Sequence, residues 1–354
     1  MKNPVSCFSV PKTGLKQDSH LFSYVFLLFL HKKIVQEENL SAPFILSKVP
    51  FYFAEYISLW AQETYQYAQK DSCSLYFDIH RPAAGAETEH QGVRKPTIIH
   101  VFGGGFKMGA RNEAYQSKRF RTLTENGYTV VAIDYRLGMK GYKMGKGLAG
   151  LVQSVELFYR SQQMGVEDVF SAIAYLSEHP ELGIDVNNIV VSGSSAGAII
   201  SLASAYAIAN GQAVGLPEDF RLKGVVSYAG GVISLTGAPR FAELPCPILF
   251  FHGMNDKAVA YNHLSAFGKG VWGSNFLAQR LKKMGANYSI YRVKDRAHDV
   301  ASYMNDLWRL EQLFLEKNVM RDERCIVDAT VDDPSLPVWK EWGEMTPQDM
   351  YDGK

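Results

Sequence analysis

The sequence predicts an α/β fold, a mostly parallel sheet with helices on both faces. Three observations carry that expectation. From about residue 97 onward, short β-branched runs alternate with stretches of helical spacing. One run, Ile189-Val190-Val191, reads as a strand buried on both sides. It passes directly through Gly193-Ser194-Ser195-Ala196-Gly197 into a small, apolar helical pattern that reaches Ala209. Strand, G-x-S-x-G and helix in succession place the middle serine on a sharp turn with its hydroxyl pushed out of the sheet. The two glycines remove the Cβ atoms that would collide with the neighbouring strand and helix.

Composition bounds the function. The chain has 354 residues, 47% hydrophobic and 21% charged, which suits one large α/β domain with extra segments. A net charge of +1 implies no nucleic-acid or polyanion partner. Cys7, Cys73, Cys246 and Cys325 form no C-x-x-C pair, so no metal site is expected.

Residues 1–61 read as a leader segment or an N-terminal arm, ahead of the fold proper. Leu21 to Leu30 is an uncharged run of signal-core length, too short to span a bilayer, with Lys2, Lys12 and Lys16 before it. His31-Lys32-Lys33 follows it with no small-residue cleavage site. A second apolar stretch, Ala42 to Ala61, is interrupted by Lys48 and Glu55. Export to a periplasmic or extracellular location is favoured over the cytoplasm, and a membrane enters only through this leader.

The catalytic domain is expected over 62–320. Thr64 to Ala68 and Ser74 to Ile79 alternate around a turn at Asp71-Ser72, as a hairpin does. Ala83 to Arg94 is a polar loop. Thr97 to Phe102 is a buried strand ending in Gly103-Gly104-Gly105-Phe106, and Tyr128 to Ile133 is another, running into Asp134-Tyr135-Arg136-Leu137. Glu167 to Leu176 has helical spacing. Leu222 to Tyr228, Pro247 to Phe251 and Tyr288 to Val293 are further strands. Tyr261 to Ser274 is an insertion before a helix over Asn275 to Met284, and an amphipathic helix over Val300 to Lys317 closes the domain. Residues 321–354, acidic and carrying Pro334 and Pro337, are expected to form a polar, extended tail on which Trp339 and Trp342 are the docking candidates.

A serine hydroxyl needs a base, and the base an orienting acid. On this architecture they follow in the order Ser, Asp/Glu, His. Asp256 follows the strand ending in Phe250-Phe251, and His298 follows the strand ending at Val293. The candidate catalytic residues are therefore Ser195, Asp256 and His298, each at the carboxyl end of its own strand, where open α/β sheets place their sites. Singly, each has a plainer reading: a Gly/Ser turn, a helix N-cap, a solvated loop histidine. Asp295 and Asp299 are rival acids that adjoin His298 too closely in sequence to lie behind it. His252 is the rival base, read instead as holding the loop around Asp256. Gly104, Gly105 and Ala196 are the candidate backbone donors to an oxyanion. Gly145 to Gly150 matches G-x-G-x-x-G without following a strand and reads as a loop near the site rim.

These pieces together resemble the α/β-hydrolase superfamily, in its carboxylesterase and lipase branch with an HGGG-type oxyanion loop. The resemblance runs from about Thr64 to Lys317. It implies an eight-stranded, mostly parallel sheet, hydrolysis of esters through an acyl-enzyme, no cofactor, and a small-molecule or carbohydrate ester as substrate. Compact secreted relatives that deacylate plant polysaccharides suggest a carbohydrate acyl esterase. Phe102 stands where the pattern has its histidine, which leaves the bracing of the glycine loop in question. Two other readings stay open, a serine peptidase on the same fold and a non-catalytic binding protein on a hydrolase scaffold.

Overall fold

The computed structural model describes residues 63–338. The leader reading of 1–61 and the docking of Trp339 and Trp342 lie outside the described residues.

The main sheet has nine strands. In chain order they are β1 (Glu63–Lys70), β2 (Cys73–His80), β3 (Thr97–Val101), β4 (Val130–Ile133), β5 (Ile189–Ser194), β6 (Gly224–Tyr228), β7 (Ile248–Gly253), β8 (Tyr288–Val293) and β9 (Val327–Val331). Their order across the sheet is β1-β2-β4-β3-β5-β6-β7-β8-β9. β2 and β4 pair antiparallel, and every pair from β4 onward is parallel. β3 to β7 are buried along nearly their whole length, as central parallel strands require, whereas β1 and β9 alternate between half-buried and exposed as edges do. The core divides into one apolar cluster on each face of the sheet.

The helices are α1 (Ser117–Glu125), α2 (Gly147–Glu178), α3 (Ala196–Ala209), α4 (Ser274–Met284) and α5 (Trp308–Phe314). α3 is buried almost all round, which explains its lack of a polar stripe.

Four expectations change. The sheet has nine strands, not eight, because the presumed tail supplies β9, parallel to β8. The acidic residues that suggested solvated chain are partners there: Asp328 pairs with Arg292 at 2.5 Å and Asp332 with Lys294 at 2.8 Å. The domain therefore runs past 320. α2 begins twenty residues before Glu167, where Gly145, Gly147 and Gly150 had suggested a loop. The closing helix is broken into a 3-10 turn (His298–Ser302), α5 and a π turn (Leu315–Met320). The insertion is a hairpin, residues 263–266 and 269–273, paired with 231–234 in a small antiparallel sheet. It is tied to α2 by Lys269–Glu156 and by Gln162, which bonds both the N–H and the carbonyl of Ile233.

Candidate active site

Ser195 sits between β5 and α3 with φ 51° and ψ −118°, a conformation that costs a non-glycine residue about 1–3 kcal/mol. The surroundings enforce it. The Ser195 N–H donates to the Tyr228 carbonyl at 2.9 Å, and the Ile199 N–H donates back to the Ser195 carbonyl. A Cβ on Gly197 would stand 2.0 Å from the Val101 carbonyl oxygen, and one on Gly193 would stand 2.5 Å from the Gly197 carbonyl carbon. Both turn glycines are thus required by backbone that has no room to retreat. Tyr228 is held in turn: its hydroxyl donates to buried Glu311 at 2.6 Å, and Glu311 pairs with Arg119.

The structure brings Ser195, His298 and Asp256 together. Ser195 Oγ lies 2.9 Å from His298 Nε2, and His298 Nδ1 lies 2.8 Å from Asp256 Oδ2. A carboxylate at Nδ1 makes that nitrogen the donor and leaves Nε2 free to accept the serine proton. The three residues come from three loops, and Ser195 and His298 are 103 positions apart. All are buried, with 5%, 0% and 6% exposure for Ser195, His298 and Asp256. Asp256 Oδ1 accepts the N–H groups of Ala258 (2.9 Å) and Val259 (3.0 Å). Burial disfavours the Asp256 charge, but His298 and the hydrogen bonds from His252 and His298 outweigh it. They hold the carboxyl well below the usual carboxylate range.

The acid and base loops are sewn together by backbone. Asn255 N–H donates to Arg296 O and Met254 N–H to Val293 O. Gly253 permits this approach, since its Cβ would meet the Ala297 carbonyl at 2.1 Å. The rival acid Asp299 is occupied elsewhere: it accepts from the Ala297 N–H and the Tyr303 hydroxyl. The rival base His252 also stands behind Asp256, its Nε2 3.2 Å from Oδ2, and does not bond Ser195.

The glycine loop lies beside the nucleophile. A Cβ on Gly103 would be 3.5 Å from the Cβ of Ser195. Gly104 adopts φ 119°, and its carbonyl accepts the N–H groups of Lys107 and Met108, so the loop closes on itself. Gly105 adopts φ 61°. Ala196 is the first residue of α3, where a backbone N–H has no helical acceptor. Phe102 answers the question of bracing. Its ring stacks on Tyr135 at 4.4 Å, and its carbonyl accepts the Tyr135 hydroxyl at 3.2 Å. An aromatic stack stands where a histidine was expected. Residues 145–150 lie ahead of and within the first turn of α2, well separated from β4. Among the described residues no group of three His, Cys, Asp or Glu side chains is arranged to hold a metal.

Three residues at the site carry no sequence signal of their own: Ser274, which bonds His252, and Tyr303 and Glu311, which support the His298 loop and Tyr228. Ser274 and Glu311 act through partners distant in sequence, and Tyr303 through Asp299, four residues before it.

Comparison with known proteins agrees with this architecture. The sequence pattern of the Carboxylesterase family matches residues 54–213, a segment that contains the glycine loop and Ser195. The solved apo structure of esterase 2 from Thermogutta terrifontis superposes with a TM-score of 0.50 at 20% identity, over 72% of this chain and 94% of that one. The fold is the α/β-hydrolase fold. A secreted lipase of Gibberella zeae is 30% identical over 142 residues, 40% of this chain. A non-reducing polyketide synthase of Aspergillus novofumigatus is 34% identical over 79 residues. The aligned parts span 24% of that lipase and 3% of that synthase. In this hydrolase fold Ser195, Asp256 and His298 all stand at the carboxyl ends of strands.

Proposed function

We propose that the chain is a serine carboxylic-ester hydrolase working through an acyl-enzyme. The observation that carries the reading is the continuous hydrogen-bonded chain Ser195–His298–Asp256 at 2.9 and 2.8 Å. The family match and the neighbouring lipase and esterase support ester hydrolysis.

In the proposed sequence Ser195 Oγ attacks the ester carbonyl carbon and its proton passes to His298 Nε2. The carbonyl oxygen becomes an oxyanion facing the N–H groups of Gly104, Gly105 and Ala196. Such donors are worth on the order of 10²–10³ in rate each. His298 returns the proton to the leaving alkoxide, which departs as the alcohol. Water then attacks the acyl-serine, His298 takes its proton, and collapse releases the acid and restores Ser195. Asp256 orients His298 and stabilises its charged form. Met108, after the glycine loop, and Met254, in the acid loop, are exposed apolar residues near in sequence to the candidate site, and an apolar acyl group is part of the proposal. A carbohydrate-linked acyl ester remains part of the proposal.

Hydrolysis of 4-nitrophenyl acetate, butyrate and octanoate, beside an acetylated oligosaccharide, tests this reading. Turnover that disappears in Ser195→Ala supports it, and the acyl profile names the substrate class. A folded wild type without turnover, or a mutant of equal activity, overturns it in favour of a binding protein.

A further inference from the structure

Asp256 Oδ2 is shared by two histidines. His298 Nδ1 lies 2.8 Å from it, and His252 Nε2 lies 3.2 Å from the same oxygen. His252 is fully buried at the end of β7, four residues before the carboxylate it faces. Its Nε2 also lies 3.1 Å from the Val259 carbonyl. Carbonyl and carboxylate are both acceptors, so Nε2 carries the proton. Its Nδ1 lies 2.7 Å from Ser274 Oγ, the first residue of α4 and also fully buried. Ser274 Oγ in turn reaches the Gly230 carbonyl at 3.0 Å. Gly230 follows Tyr228 by two residues, and the Tyr228 carbonyl accepts the N–H of Ser195. The contacts therefore form a circuit: Ser195 to His298, Asp256, His252, Ser274, then Gly230 and back through Tyr228 to Ser195.

We propose that His252 is a positioning residue for the candidate reaction, a second donor to Asp256 that Ser274 orients, and that it sets both the place and the basicity of His298. The proposal rests on the ester-hydrolase reading. Filling space beside Val259 would occupy Nε2 with one carbonyl. Here Nε2 faces the acid as well, and a buried hydroxyl fixes the ring from the other side. With Oδ1 held by two backbone N–H groups, the carboxylate meets a donor at every approach. A donor on Oδ2 draws negative charge away from His298, so its loss makes Asp256 a stronger stabiliser of the His298 cation. The other titratable or charged neighbours are accounted for. Tyr261 faces the His252 ring edge-on at 5.7 Å. Arg292, the register partner of His252 on β8, is committed to Asn275 and Asp328.

The test is the pH dependence of kcat and KM for nitrophenyl ester hydrolysis in wild type, His252→Leu, His252→Gln and Ser274→Ala, each checked for folding by thermal melting. His252→Leu is expected to lower kcat about tenfold or more, the value of a lost hydrogen bond to a charged group. KM should change little, and the acidic limb should move to higher pH. His252→Gln, whose amide N–H takes the place of Nε2–H, should recover most of kcat and the wild-type limb. Ser274→Ala should show a smaller shift in the same direction. Unchanged kcat and limb in His252→Leu, or a folded His252→Gln no better than His252→Leu, overturns the proposal. If His252→Leu does not fold, Ser274→Ala decides alone, and an unmoved limb is the adverse result. Ser195→Ala separates the two readings, because its inactivity upholds the hydrolase whatever His252 does. Should no ester be turned over, the downfield proton NMR signal of His298 Nδ1–H gives the same answer. It should titrate at higher pH in His252→Leu, and identical titration counts against the role.

Discussion

The two sides of the candidate site are built in different ways. On one side Ser195 is positioned by its own contiguous turn. β5, two glycines and the first turn of α3 leave it a single conformation, and the contacts that enforce it are backbone atoms. On the other side Asp256 and His298 are positioned largely by side chains, some near them in sequence and some, such as Ser274, brought from further along the chain. His252 and Ser274 stand behind the acid. Tyr303 and Asp299 stand beside the base, and the strap after β9 closes over them: Arg296 donates to the Leu336 carbonyl at 2.8 Å and the Tyr303 hydroxyl to the Pro337 carbonyl. Backbone-built geometry fails by steric collision. Side-chain-built geometry loosens by degrees.

Mutations can break that contrast. The largest effect is expected across it, at the chemistry: His298→Ala and Asp256→Asn should each lower kcat about 10⁴-fold or more in a steady-state ester assay, with the fold intact by circular dichroism. Next comes the backbone side. Gly197→Ala drives a Cβ against the Val101 and Phe102 carbonyl oxygens, at 2.0 and 2.6 Å, so a urea titration should show a loss of about 3 kcal/mol or an insoluble protein. The side-chain side should respond more gently. Tyr303→Phe removes the hydroxyl that ties Asp299 to the strap and should lower kcat by about tenfold with little change in KM.

Away from the site, His100 in β3 is a fully buried neutral imidazole. Burial, then the Arg119 charge, lower its pKa to about 3. The unfolded chain binds this proton near the ordinary histidine pKa of about 6.5. Between those values the unfolded state holds more protons, so stability falls as pH drops from about 6.5 toward 3. His100→Gln should flatten that slope in urea midpoints measured between pH 7 and 4.5, and its effect on kcat should be the smallest of the series.

The same contrast explains what could be read from the chain. The nucleophile turn was legible because its geometry depends on neighbours in sequence, and the order of Asp256 and His298 followed from strand ends. The strand pattern foretold β1 to β8 within a few residues. β9 was hidden because an edge strand needs one apolar face, and its charged residues find partners only when β8 lies alongside. The hairpin at 263–273 was hidden because glycines punctuate it and its tip carries a fully exposed Phe267 at φ 51°. The stack of Phe102 on Tyr135 joins residues 33 positions apart, and no local pattern announces it. Ser274 is one small polar residue at a helix start until His252 is placed beside it.

The measurement that tests the central claim most directly is covalent labelling of Ser195 with a fluorophosphonate, followed by intact mass and peptide mapping, in wild type, Ser195→Ala and His298→Ala. One adduct on Ser195 in the wild type, none in Ser195→Ala, and labelling slowed by orders of magnitude in His298→Ala is the expected result. Modification of a different serine, or undiminished labelling of Ser195 without His298, would contradict it.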